Sequence, residues 1–568
     1  MPTPVSARLD RSRRLLPPRA RLALGAVTAR SIAAGSAVLA LGLSLIWFLL
    51  PGNLFGVAPY DAGVYFGVAL RLVDGVVPYR DFVFVHPPGI AFVMAPLALL
   101  SKVTGASAMF VVSRLLTAAV AAANAGLTAL VVRHRGRLAM AVAGVGMALF
   151  PYAATVSHDL KLEPYLVLLC LLALLVAQRP GAPSTRRLLA IGLLVGFAGA
   201  IKIWAFFPFL ALLGAELIRS RRRAGLLVTG TAIGFGLPCL PFFAAAPSRM
   251  FHDVVLDQLG RGGYDYTAIS LPNRLGYLSG VNALFHDTTI GAVLGTALVA
   301  GLLVGTAAAA AGAIRGRGSC SFADGLLAAT ALLALAELLA APGLYVTYSY
   351  FTAPFVLGLA ALLVGEARRR HLTALAARGP VGRLGPVGPL HRSPVVRVVI
   401  AVAAGGLAAW LAVANLDAQG SVLGGGRLAA NGSVLAEGPA IASAVPAGSC
   451  VVTDDLSLLI SSNRYQAQGS GCPQLIDPFG MWMVADHGRG AVGKAPRPRL
   501  LVAYWHGALA RAGALVLSNL DQLMIPWTPR LERQLRRNFQ LVLTEPDASV
   551  YLRRVTDGPG QVLRRARP

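Results

Sequence analysis

Tyr60-Asp61-Ala62-Gly63-Val64-Tyr65, Pro78-Tyr79-Arg80-Asp81 and His86-Pro87-Pro88-Gly89 follow one another within 30 residues, just after the first long apolar run of the chain. With Arg71 and Asp74 between them, the stretch holds three acids, two bases, a histidine and a Pro-Pro pair. Most of the surrounding sequence reads as membrane helix. Ionisable groups so close to hydrocarbon are costly, so this cluster marks a functional site. The side of the membrane on which it lies decides how the rest is read.

The chain has 568 residues, 56% hydrophobic and only 13% charged, about half the charge content usual for a soluble protein. It is a polytopic membrane protein. Its 51 basic and 25 acidic residues leave a net charge of +26. The basic residues fall in short clusters between apolar spans, which is topology information and excludes nucleic acid as a partner. Lysine is nearly absent (Lys102, Lys161, Lys202 and Lys494), and the Arg-, Ala- and Gly-rich composition points to a high-GC bacterial genome. The five cysteines show no CxxC or His/Cys ligand spacing, so a structural zinc site finds no support.

Runs of about 20 apolar residues can cross a bilayer. Eleven are read: 31–50, 109–132, 138–154, 163–178, 188–201, 203–218, 224–243, 289–312, 322–342, 349–366 and 394–415. Seven arginines precede the first. Further basic clusters stand at Arg133–Arg137, Arg179–Arg187, Arg219–Arg223, Arg315–Arg317 and Arg368–Arg392. The positive-inside rule assigns all of these and the N-terminus (residues 1–30) to the cytoplasm. Loops 51–108, 155–162 and 244–288 then lie outside, as does everything after 416. Residues 88–104 are apolar enough to span, but crossing there would invert every later loop. They are therefore read as a juxtamembrane or re-entrant helix. Residues 62–74 read as a second one on the outer face, with Val64, Ala69 and Leu72 opposed to Arg71 and Asp74.

The expected fold is thus an all-α membrane domain over 31–415 followed by a small extracytoplasmic α/β domain over 416–556. In the latter, β-like runs stand at 450–453, 500–504, 514–517 and 539–543, with a helix near 528–537. Cys450 and Cys472 both fall there, and an oxidising compartment favours a disulfide between them. Residues 557–568 read as a disordered tail.

With sidedness assigned, the ionisable residues of loops and span ends gather at the outer face. They are Asp61, Asp74, Arg80, Asp81 and His86, then Arg114, then Asp159, Lys161 and Glu163, then Lys202, then Arg261 and its neighbours, with Tyr345, Tyr348 and Tyr350 at another outer edge. Asp159 and Glu163 are four apart and share a face if helical. Carboxylates such as Asp61 and Asp159 can act as general base or, as Asp159 with Glu163, hold a divalent metal ion. Lys161, Lys202, Arg114 and Arg261 can bind phosphate. Tyr348, like the other edge aromatics, can stack on a sugar or simply belong to an interfacial belt. No nucleotide-binding loop, Ser/His/Asp order or HExxH motif is present, so a soluble-cofactor enzyme finds no support.

Asp61-x-x-x-Tyr65, Gly75, Pro78-Tyr79-x-Asp81, His86-Pro87-Pro88, Arg114, Asp159 with Glu163-Pro164, and Lys202 together resemble the GT-C integral-membrane glycosyltransferases. The similarity covers residues 31–370 and leans to the protein O-mannosyltransferase and aminoarabinose transferase branch. A phosphatidylinositol-mannoside mannosyltransferase has a similar Asp, Val-Tyr and Pro-Pro pattern. The resemblance implies a polyprenyl-phosphate-linked sugar donor, a cell-envelope acceptor and inversion at the anomeric carbon. By it Asp61 would be the general base. Asp159 and Glu163 would hold a metal or position the donor, and Lys202 with Arg114 or Arg261 would neutralise the departing polyprenyl phosphate. The family often has two adjacent acids in the first loop; here Ala62 follows Asp61, leaving either a pair split between Asp61 and Asp81 or a single base. A transporter or flippase of lipid-linked sugars would bury its charges near the midplane and show repeated halves, neither of which is seen. A membrane scaffold acting through its C-terminal domain would tolerate loss of Asp61.

Overall fold

The computed structural model describes residues 28–49, 54–56, 59–260, 269–285, 288–315, 320–377, 413–414, 416–418, 420, 434–465, 471–473, 475–485 and 497–554. Arg261, the tail after 556 and all but two residues of the expected 394–415 span lie outside them.

The longer helices of the membrane domain are α1 (Ala29–Leu49), α2 (Tyr60–Val73), α3 (Gly89–Thr104), α4 (Ala106–Val131), α5 (Arg137–Leu149) and α6 (Glu163–Ala177). They continue as α7 (Thr185–Ile201), α8 (Phe206–Leu217), α9 (Arg221–Ala245), α10 (Thr288–Ile314), α11 (Phe322–Ala340) and α12 (Ser349–Ala377). Six described helices are long and apolar enough to cross a membrane: α1, α4, α9, α10, α11 and the Val346–Thr373 stretch containing most of α12. Helices α5 to α8 coincide with four further expected spans but, with 13, 15, 17 and 12 residues, are shorter than those six.

Small residues bring α7 and α9 together. Gly192 and Gly196 of α7 face Gly230 and Gly234 of α9, and a Cβ at any of them would strike the partner's backbone. Such small-x-x-x-small spacing lets helix backbones approach closely inside a membrane. The pairing anchors α7, whose far end delivers Lys202. A Cβ at Gly89 would fall on the backbone of Ala200, so the start of α3 is pressed against the same end of α7.

Helix α2 corrects one expectation. It is not a surface helix with a solvated side, because every residue from Ala62 to Arg71 is buried. Helix α3 covers part of it and the C-terminal domain covers the rest. A Cβ at Gly63 would fall on the backbone of Ser457, and one at Gly67 on the side chain of Leu456. Phe66, Val68, Ile90 and Met94 form one apolar cluster with Leu456, Leu459, Ile460, Val516 and Val550. Each large side chain buried there contributes roughly 1.5–3 kcal/mol. The membrane domain and the C-terminal domain therefore share a core. Arg71 stacks over Tyr465, and Asp74 pairs with Lys102 at 3.1 Å.

The C-terminal domain holds β1 (Val451–Thr453), α13 (Leu456–Ser461), α14 (Pro478–Ala485), α15 (Arg499–Arg511), β2 (Ala514–Ser518), α16 (Pro529–Asn538), β3 (Phe539–Thr544) and β4 (Ala548–Arg553). The sheet order is β1-β2-β4-β3, with β1 parallel to β2 and the other pairs antiparallel. Residues 500–504, expected as a strand, belong to α15. Leu501, Trp505, Ala508 and Leu509 are its buried residues, a helical spacing that a five-residue window hides. A disulfide joins Cys450 to Cys472.

Candidate active site

Local structure explains how the first-loop residues reach one place. Pro59 precedes α2, so Tyr60 and Asp61 form its first turn. Tyr79 holds φ of 66°, in the left-handed region that costs a non-glycine residue about 1 kcal/mol. Its backbone N–H donates to Phe82 O at 2.9 Å, and its hydroxyl donates to His86 O at 2.6 Å. That turn aims His86 inward, where its Nε2 lies 3.4 Å from the Tyr65 hydroxyl. Pro88 then caps α3.

A cavity of about 500 Å³ opens beside these residues, lined by Tyr60, Asp61, Tyr65, His86, Lys161, Glu163 and Lys202. Tyr277, Tyr345 and Tyr348 add an aromatic wall, and Phe479, Leu523 and Met524 of the C-terminal domain close the cavity on another side. Two lysines organise its charge. Lys161 Nζ lies 2.6 Å from Asp61 Oδ2 and 3.3 Å from Asp159 Oδ2. Lys202 Nζ lies 2.6 Å from Glu163 Oε1, and 3.5 Å and 4.2 Å from the ring centroids of Trp204 and Tyr348. Lys202 has extended backbone (φ −152°, ψ 130°) where α7 breaks before a short 3-10 turn, and the break turns its side chain into the cavity.

The two carboxylates on Lys161 differ. The Asp61 side chain is 48% exposed and faces the cavity, whereas that of Asp159 is 1% exposed. Burial pushes the Asp159 carboxyl up to about 6, against the pull of Lys161 and Arg114. Burial alone would lower Lys161, but Asp61 and Asp159 outweigh it and hold the ammonium above the ordinary lysine range. Asp159 is in a loop, so the shared helical face with Glu163 does not form. Each acid meets its own lysine instead. A divalent ion between Asp159 and Glu163 would have to displace both ammonium groups, so these residues do not fit a metal.

The remaining expectations fall elsewhere. Asp81 does not line the cavity: Val77 N and the Arg80 guanidinium both donate to it, and the Arg80 hydrogen bond leads in holding its carboxyl below the usual range. The split acid pair of Asp61 and Asp81 is therefore not assembled. Arg114 is buried and donates to His158 O at 3.0 Å and Leu54 O at 2.9 Å, so it braces the loop carrying Asp159 and is not among the cavity-lining residues. Among the described residues, three metal-capable groups meet only at His252, Asp253 and Asp257, with ligand atoms all within 4.8 Å. His252 and Asp253 open a π-helical turn and Asp257 directly follows it, an i, i+1, i+5 spacing that an α-helical reading passes over.

Sequence reasoning missed the C-terminal wall. The Tyr60 hydroxyl donates to Asp477 Oδ1 at 2.8 Å and accepts from Phe479 N at 2.9 Å. The residue next to Asp61 is thus tied to a segment more than 400 positions away.

Residues 84–342 match the model of Glycosyltransferase family 87. The chain also aligns in structure with ArnT from Cupriavidus metallidurans bound to undecaprenyl phosphate. That match covers 93% of this chain and 99% of that one, with a TM-score of 0.55 and 16% identity. The fold is that of the GT-C superfamily of membrane glycosyltransferases. A second GT-C structure, the archaeal oligosaccharyltransferase AglB from Archaeoglobus fulgidus in complex with an inhibitory peptide and a dolichol-phosphate, matches over 94% of this chain and 75% of its own. Its TM-score is 0.51 and its identity 12%. The same enzyme tethered to an acceptor peptide matches with a TM-score of 0.51 at 13% identity, over 92% of this chain and 74% of that one. No curated protein matches in sequence. The GT-C match with ArnT runs nearly end to end, so both the membrane helices and the C-terminal region fall within it.

Proposed function

We propose that this membrane glycosyltransferase moves a sugar from a polyprenyl-phosphate donor to a cell-envelope acceptor outside the cytoplasm. The observation that carries the reading is the cavity itself: an exposed carboxylate, Asp61, and a buried ammonium, Lys202, line one 500 Å³ space. The ArnT and AglB structures, solved with undecaprenyl phosphate and dolichol-phosphate, support the class of donor.

In this mechanism Asp61 takes the proton from the acceptor hydroxyl as its oxygen attacks the anomeric carbon. The bond from that carbon to the phosphate oxygen breaks, and the polyprenyl phosphate departs with the electron pair. Its charge grows from −1 to −2. Lys202, held by Glu163 and stacked between Trp204 and Tyr348, faces that growing charge without having to reorganise. Lys161 orients Asp61, and Asp159 holds Lys161 from behind. Displacement by the acceptor itself inverts the anomeric centre. His86, hydrogen-bonded to Tyr65, offers a ring nitrogen to the sugar or the acceptor.

The test is transfer of radiolabelled sugar from polyprenyl-phosphate donors in membranes carrying wild type or Asp61→Asn. Loss of a general base costs about 10²–10⁴-fold, so the labelled product should fall at least a hundredfold at equal expression. Undiminished product from Asp61→Asn would remove the proposed base. Absence of product with every donor, wild type included, would sink the transferase reading.

A further inference from the structure

Helices α6, α7 and α8 present Glu163, Lys202 and the Trp204 turn at one end. Their opposite ends build a second arrangement that sugar transfer does not use. A cavity of about 350 Å³ there is lined by Arg133, Arg179, Arg187 and Arg219, with His134 and Gln178. No described acidic residue lines it. Both side-chain polar atoms of Gln178, Oε1 and Nε2, are buried there without a hydrogen-bond partner. Ser321 caps α11 at the same place, where the Asp324 carboxylate already accepts from the Ser321 N–H and meets the His134 ring at 2.7 Å, so the arginines supply the cavity's positive charge.

An apolar groove of about 450 Å³ continues from this cavity and shares Arg219 and Phe322 with it. It runs between α8 and α11 past Leu210, Ala211, Gly214, Gly325, Ala329 and Leu333. From Phe322 to Leu333 are eleven residues, about 16 Å of helix at 1.5 Å each. One leaflet of hydrocarbon is about 15 Å, half of the roughly 30 Å core. Arg219 stands at the junction, 3.6 Å over the Phe322 ring, and shares Glu216 with Arg223. One carboxylate therefore serves two guanidinium groups.

We propose that this is a binding site for an anionic phospholipid of the leaflet opposite the active site. The phosphate headgroup sits in the arginine cavity and one acyl chain lies in the α8–α11 groove. Basic pockets between membrane helices recognise anionic headgroups in this way. Arg187 donates to the carbonyls of Val176, Ala177, Arg179 and Pro180 and so commits four of its five N–H groups, whereas Arg133 donates to Leu130 O. Arg179 and Arg219 are thus the better positions to test.

The experiment is native mass spectrometry of the full chain, titrated with phosphatidylglycerol, with phosphatidylcholine of identical acyl chains, and with inorganic phosphate. Wild type should retain one phosphatidylglycerol in clear preference to phosphatidylcholine. In Arg179→Gln/Arg219→Gln that preference should drop about 30-fold, from about 1 kcal/mol for each lost charge. Gly325→Leu should weaken both lipids. A Cβ there meets nothing within 4 Å, so the side chain grows into the groove without a backbone clash. Gly214→Leu, equally open, repeats the test on the facing helix. Equal retention of the two lipids by wild type would overturn the proposal. So would displacement of phosphatidylglycerol by inorganic phosphate with no effect of either leucine, which would mark a free-anion site.

Discussion

Replacing Lys202 by methionine separates holding a fold from holding a transition state. Its ammonium lies 2.6 Å from Glu163 Oε1, and the two side chains are 6% and 4% exposed. Methionine keeps most of the length but gives up the ammonium's contacts with the Trp204 and Tyr348 rings. It leaves Glu163 buried without its counter-ion, which costs about 3–5 kcal/mol. The melting midpoint in detergent should fall accordingly. Sugar transfer should fall by about 10²–10³-fold, the usual loss when a preorganised group facing transition-state charge is removed. Adding Glu163→Gln then removes the orphaned charge. The double variant should recover most of the lost stability while transfer stays two to three orders of magnitude down. If stability and transfer return together, Lys202 is an internal strut and its assignment to the leaving phosphate fails.

Transfer should decline as pH drops through about 6, where Asp159 takes a proton and gives up its share of Lys161. The raised Asp159 carboxyl adds stability as it is protonated between about 6 and 4, whereas burial holds the neighbouring His158 down to about 4 and subtracts stability over the same range, so a melting midpoint taken at each pH separates the decline in transfer from unfolding. A pH–rate profile that keeps the same limb in Asp159→Asn would refute the assignment. Replacing Cys450 and Cys472 by alanine should lower the stability of the C-terminal domain by about 3 kcal/mol, from the chain entropy of a 22-residue closure; an unchanged midpoint in non-reducing melts counts against it. Gly63→Val should push α2 away from the Ser457 backbone. Limited proteolysis should then cut the C-terminal domain faster, and an unaltered digestion rate would show that the α2–α13 contact tolerates separation.

Hydropathy made most described helices of the membrane domain legible, including those over 62–74 and 88–104 as helices, because hydrocarbon leaves few alternatives to an apolar helix. The grouping of Asp61, Lys161, Glu163 and Lys202 was legible too, since sidedness alone sorts ionisable groups to one face. Which acid meets which lysine was not. That depends on the loop conformation of 158–162 and on the break after Ile201, neither of which has a periodic signal. Asp81 was misleading because its value is local: it closes a turn with Val77 and Arg80. The burial of α2 stayed hidden because its cover comes from residues nearly 400 positions later, and short apolar runs such as 500–504 fit a strand and a helix equally well.

The bonds from the Tyr60 hydroxyl to Asp477 and Phe479 bear on how the protein is made. Ribosomal synthesis delivers Asp61, Lys161, Glu163 and Lys202 within the first 202 residues. The walls supplied by Phe479, Leu523 and Met524 come from the last fifth of the chain. A nascent or truncated polypeptide would carry every reactive group and still lack an enclosed place to use them. The enclosed cavity therefore arrives only when the final segment has closed over α2. On the proposed function, the order of translation itself delays turnover until the cavity is enclosed.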